Sequence, residues 1–311
     1  MLRIRIIWQN SPDQGRSVDY LCADRTGQAA PPPKKPALIN NLKSYTLNSV
    51  SGFTPTDYER KSIMITVKDI ADKSMTPEKK AMARNDLFAF YIGRPLSYVL
   101  TIPFLYTGLS PNTISIISII PAVFGFLVSC VARNRDGMIA GWVLFFMWNL
   151  LDGVDGNVAR YKKQFSALGS VYDAMAGYIA SALMFYSAGI MAAHSEGPLV
   201  KSGLISPEVL IICGGLIAIV DLLPRLVMHK AVTTLMDKSA VSDVMDKADY
   251  GIVKTIALNL RSCAGGAQFL LLVAILLNIL DLYTVCYLLF NTAVMLLSLK
   301  SVLRGKSEKS L

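Results

Sequence analysis

An all-α, polytopic membrane protein is the fold class this sequence predicts, and three observations predict it. Hydrophobic residues make up 53% of the 311 and charged residues only 17%, where a soluble domain carries about a quarter charged. Mean hydropathy is +0.44, and the apolar residues fall in long uncharged blocks of the length that crosses a bilayer. The basic residues collect in the connections between those blocks. Six transmembrane helices preceded by a juxtamembrane amphipathic helix are expected.

Residues 1–62 mix Pro, Gly, Ser and charge without a sustained period, with PPPKKP at Pro31–Pro36, and read as a disordered tail. The opening MLRIRIIWQN has no apolar run behind its basic residues, so no signal peptide is expected. Helical patterning begins near Met64, which makes that residue an alternative translation start. Residues 63–109 read as a helical segment on the cytoplasmic surface. Within it Thr76-Pro77-Glu78 has the form of an N-cap followed by proline at the first helical position. The apolar run from Phe88 to Leu109 contains Arg94 and is broken by Pro95, Pro103 and Gly108. It is read as interfacial, with entry of Leu96–Leu109 into the bilayer as the alternative.

A membrane domain follows over residues 110–303. Ser110-Pro111-Asn112 starts the first span, which runs to about Ala132. Further spans are expected at Met138–Leu151, Ser170–Ala193, Pro207–Met228, Ala264–Ile279 and Leu282–Val302. The second is too short in purely apolar residues and must use its acidic end to cross about 30 Å. Six spans put both termini on one side. The N-terminal region, Arg160-Lys162-Lys163, the Lys230–Arg261 connection and the basic tail (residues 304–311) then lie together, so that side is read as cytoplasmic. Lys201, Arg133 and Arg135 fall on the other side. In the long connection Val241, Val244, Met245, Ala248 and Ile252 have the spacing of an amphipathic surface helix.

A net charge of +9 is that of a chain with cytoplasmic loops against anionic lipid, and no nucleic-acid partner is expected. The cysteines (Cys22, Cys130, Cys213, Cys263, Cys286) form no CxxC pair, and His194 and His229 lie far apart. Disulfides and a zinc site are therefore not expected.

Chemistry concentrates in Asp152–Gly177. Asp152, Asp155, Gly156 and Ala159 fall at i, i+3, i+4 and i+7, one stripe of a helix with two carboxylates above small residues. The loop Arg160–Leu168 is short, so the next span returns antiparallel beside the first. On that span Gly169, Asp173 and Gly177 share a stripe at spacing four. Three carboxylates can thus converge from two helices near the cytoplasmic end of the bilayer. An unpaired Asp at bilayer depth costs roughly 2.5–3.5 kcal/mol, and three together repel. Oxygen-only ligands suit a hard divalent cation such as Mg²⁺, Mn²⁺ or Ca²⁺, which would in turn bind a diphosphate. The plain alternative is a set of helix-end carboxylates solvated or paired with Arg160, Lys162 and Lys163.

Asp152-x-x-Asp155-Gly156-x-x-Ala159-Arg160, eight residues, then Gly169-x-x-x-Asp173, resembles the signature of CDP-alcohol phosphotransferases, membrane enzymes of phospholipid synthesis. Less strictly the resemblance extends to Ser110-Pro111-Asn112-Thr113 and the six spans, over roughly residues 90–303. It implies that Asp152, Asp155 and Asp173 hold Mg²⁺ or Mn²⁺ against the diphosphate of a CDP-linked donor. It likewise implies that Gly156, Ala159, Arg160 and Gly169 frame the nucleotide, that an alcohol accepts the substituted phosphoryl group, and that CMP leaves. A homodimer is implied by the resemblance alone.

One position departs. The family pattern continues with a fourth Asp, assigned as the base that deprotonates the acceptor, and here that position is Gly177. With Ala174, Ala176, Ala180 and Ser181, Gly177 reads as a close-packing helix face. Asp221, with Arg225 at i+4 and His229 a turn further, is a substitute base or, equally, an ion pair. Arg225 and Arg261, with Lys254, are candidates to hold a phosphate on the acceptor. CDP-diacylglycerol with a soluble or phosphorylated polyol is the expected substrate pair. A CDP-amino-alcohol with a lipid acceptor, a metal- and CDP-binding protein without turnover, and more weakly a small-solute transporter are the alternatives.

Overall fold

The computed structural model describes residues 65–75, 80, 83–84, 86–235 and 259–304. Every regular element among them is helical. The expectations for the N-terminal tail, Thr76-Pro77-Glu78, Lys254 and the helix spaced by Val241–Ile252 fall on residues outside that set.

Helix α1, Val67–Ser74, opens with a reciprocal capping box between Thr66 and Asp69. One π-helical turn, Ala89–Gly93, leads without a break into α2, Arg94–Tyr106. Pro95 falls where the hydrogen-bond spacing changes from π to α, a place where its missing N–H costs little. The run that the prolines seemed to interrupt is therefore one helix. It packs along the acidic helix α4.

Helix α3, Pro111–Val131, has Ser110 as its cap, the Ser110 hydroxyl accepting from the Thr113 amide. Helix α4 runs Arg135–Lys162, far past the expected Leu151, so its acidic stripe is a continuation of the span. Lys163 then takes a left-handed conformation and the chain turns in four residues, 163–166, before α5, Ala167–Ser195. The connection is thus shorter than the expected Arg160–Leu168. A short helix α6, Pro198–Lys201, and the long α7, Pro207–Leu235, follow. Helix α8 covers only Gly266–Leu277, and α9 runs Leu280–Arg304.

Helices α3, α4, α5, α7 and α9 are long and apolar enough to cross a membrane. The expected span Ala264–Ile279 is shortened at both ends. Gly265 is non-helical and Asn278 is left-handed, which leaves a helix of about 18 Å. Small residues set the closest packing. A Cβ on Gly125 would meet the Gly141 carbonyl of α4 at 3.1 Å, and one on Gly189 would meet the Gly214 Cα of α7 at 2.7 Å.

The distribution of polarity inverts that of a soluble protein. Ile120, Phe124, Leu127, Ile212, Ile219 and Leu289 are exposed on the outside, whereas Ser118, Asn149, Asn157, Gln268 and Asp281 are buried. An apolar exterior and hydrogen-bonded interior are what a lipid solvent selects. The interior polar groups tie helices together. Asn149 donates to Gln268 Oε1 at 2.7 Å and to the Ala264 carbonyl at 2.8 Å, joining α4 to the start of α8.

Candidate functional site

Helices α4 and α5 bring one oxygen each of Asp152, Asp155 and Asp173 within 4.8 Å of one another. The helical stripe on α4 and the four-residue turn into α5 produce that convergence. Asp155 is 6% exposed and accepts a hydrogen bond from the Ser115 hydroxyl of α3. Asp173 stands at the open side. Among the described residues, no cation lies within ion-pair distance of any of the three. Charges this close in a poorly screened setting repel strongly. Three carboxylate oxygens at this spacing are able to hold a metal ion.

The carboxylates line a cavity of about 460 Å³. Gly156, Ala159, Arg160 and Gly169 line it too, so the sequence stripe and the cavity wall coincide. The Arg160 guanidinium folds back along its helix, and a Cβ on Gly156 would come within 2.9 Å of it. Glycine there makes the room that the guanidinium uses. Arg160 donates to Asn157 Oδ1 at 3.2 Å, and Asn157 in turn donates to Thr101 at 3.1 Å and Ser97 at 3.3 Å. A Cβ on Gly153 would meet the Ser97 Cβ at 2.8 Å, so α2 sits directly on the back of the acidic helix.

Sequence reasoning assigned no site role to several lining residues, among them Arg94, Ser115, Asn149 and Asn112. Arg94 carried a signal as a charge inside an apolar run. Asn149 lies one turn before Asp152, and Asn112 and Ser115 are spaced by three on α3. Their relevance depends on which face α3 turns toward α4, which no spacing on α3 alone reveals.

Gly177, Asp221, Arg225 and Arg261 are not among the residues lining this cavity. Among the described residues the close-packing reading fails at Gly177 itself: a Cβ there would have nothing within 4 Å, although Ala176, Ala180 and Ser181 are buried. Asp221 is 1% exposed. It pairs with Arg225 at 3.0 Å and more distantly with Arg261 at 3.9 Å, and it accepts from the Ser181 hydroxyl at 2.5 Å. Of the two readings left open for Asp221, the ion pair is the one the structure contains.

Five helices long and apolar enough to cross a membrane, with a carboxylate-lined cavity where two of them meet, define a polytopic helical membrane protein. The chain belongs to the CDP-alcohol phosphatidyltransferase family, whose profile matches residues 108–303. Members of that family transfer a phosphoalcohol group from a CDP-alcohol and use divalent cations. Comparison with curated proteins yields no match.

Proposed function

We propose that the protein transfers a substituted phosphoryl group, in the first instance phosphatidyl from CDP-diacylglycerol, to an alcohol with release of CMP. The convergence of Asp152, Asp155 and Asp173 on one cavity carries this reading. An all-carboxylate donor set fits Mg²⁺ or Mn²⁺, with Asp152, Asp155 and Asp173 as the holding residues. Bound there, a divalent cation supplies charge neutralisation and alignment for a diphosphate.

The remaining work falls to the chain's own groups. The Ser115 hydroxyl fixes Oδ2 of Asp155. Arg160 sits over Gly156, where a guanidinium can meet phosphate oxygens. Ala159 lines the cavity proposed for the cytidine, and Gly156 and Gly169 let the side chains of Arg160 and of Asn112 lie close against the two helices there. The acceptor oxygen bonds to the phosphorus that carries the diacylglycerol, the bond from that phosphorus to the bridging oxygen breaks, and CMP departs with that oxygen. The hydroxyl proton passes to water, because position 177 offers no carboxylate. Positioning then supplies most of the rate. Arg225 and Arg261, half-neutralised by Asp221, are the groups proposed for a phosphate on the acceptor. The positive loops argue that the cavity and both termini face the cytoplasm.

A second reading, binding of metal and CDP-alcohol without turnover, draws on Gly177, since general-base help is typically worth 10²–10⁴-fold. The test is a CMP-release screen in liposomes over CDP donors and alcohols, with Mg²⁺ and with Mn²⁺. Release that disappears in Asp155→Asn and Asp173→Asn supports transfer. Saturable CDP-alcohol binding with no release from any pair supports the second reading.

A further inference from the structure

A second cavity, of about 380 Å³, lies between α1 and the start of α2. Its lining includes Asp72, Lys80, Tyr91, Arg94 and Tyr98. Arg94 lines this cavity and the acidic one alike. Among the described residues its guanidinium has no carboxylate within ion-pair distance. Nη1 points at the Met75 sulfur at 3.5 Å, a weak acceptor, and Nε is buried with no partner. Arg94 is part-buried, and a buried donor such as its Nε is costly to leave without a partner, which an anion in the cavity can offset.

The chemistry of that anion follows from the lining. The planar fork of arginine matches the oxygens of a phosphate, and among the described lining residues Lys80 adds a second cation against one carboxylate, Asp72. Tyr98 is buried at the base while Tyr91 is 66% exposed at the mouth, which gives a graded path from outside to Arg94. The diphosphate proposed for the acidic cavity already has Arg160 beside it. Arg94 is therefore available to a different phosphate.

We infer that this second cavity binds a phosphate group distinct from the CDP diphosphate, with Arg94 as the cation common to both cavities. The group arrives either on a soluble phosphate ester or in a phospholipid head; the recognition chemistry is the same. The inference does not rest on the metal or on turnover.

Full-length protein in dodecyl maltoside micelles, which carry no phosphate, tests it. Calorimetry with inorganic phosphate reads the soluble source, and native mass spectrometry with short-chain phosphatidic acid reads the lipid source. Saturable binding of at least one is expected, and which of the two binds identifies the source. Arg94→Gln should weaken it by about tenfold or more, the loss of charge-assisted hydrogen bonds. Ala71→Trp, which fills the cavity from the α1 side, should weaken it similarly, whereas Asp155→Asn should not weaken it. Arg94→Lys, which keeps the charge and loses the fork, should give an intermediate affinity and guards against misfolding of the other variants. No saturable binding of either probe would overturn the inference. So would affinity indifferent to Arg94→Gln and Ala71→Trp, or a loss in Asp155→Asn as large as in Arg94→Gln.

Discussion

Two sets of aspartates lie inside this bundle and are treated in opposite ways. Asp221 is enclosed and answered: Arg225, Arg261 and Ser181 surround it. Asp152, Asp155 and Asp173 are crowded together with one hydroxyl and no ion-paired cation among the described residues. A buried charge is tolerated when it is paired, and the first set obeys that rule. The second lacks such a pair among the described residues, and a cavity gives access to it from outside. The contrast separates a carboxylate whose charge is paired from carboxylates whose charge faces a cavity.

If that distinction is right, substitutions should divide cleanly between activity and stability. Asp155→Asn should lower metal-dependent CMP release by about 10³-fold or more while the thermal midpoint stays level or rises, because a repelling charge is removed. Gly177→Asp sharpens the comparison from the other side. Open space at that Cβ admits a side chain, and CMP release should rise by about 10²-fold with the protein still folded. A rate that does not change would mean that the acceptor does not approach position 177.

Asp221→Asn should do the reverse of Asp155→Asn. Losing the partner of Arg225 and Arg261 should cost about 2 kcal/mol, less than a fully enclosed pair because both guanidiniums keep some solvent. It is read as a lowered denaturation midpoint in detergent. An unaltered midpoint would remove the structural role. Smallest is Ser115→Ala, which strips the hydroxyl from Asp155. The lost hydrogen bond is worth about 1 kcal/mol, or a several-fold weaker Mn²⁺ affinity by titration.

The acidic stripe was legible because helical periodicity places Asp152, Asp155, Gly156 and Ala159 on one line whatever surrounds them. So was the start of α3, since Ser110 and Pro111 act locally as cap and first residue. What escaped depended on partners distant in sequence. Pro95 looked like a break until a π turn absorbed it. The helix at Gly266–Leu277 was overdrawn because hydropathy does not register that Gly265 and Asn278 leave helical geometry. Gly177 looked like a packing contact because its neighbours on the helix are small, yet among the described residues nothing lies within 4 Å of a Cβ built there. Asn149 and Gln268 meet only through the packing of α4 on α8.

Crystals of the full chain grown with Mn²⁺ and a CDP-alcohol, with anomalous scattering recorded at the manganese edge, test the central claim most directly. A manganese peak enclosed by the carboxylates of Asp152, Asp155 and Asp173 is predicted. Nucleotide bound in the cavity with no manganese at those three side chains would contradict it.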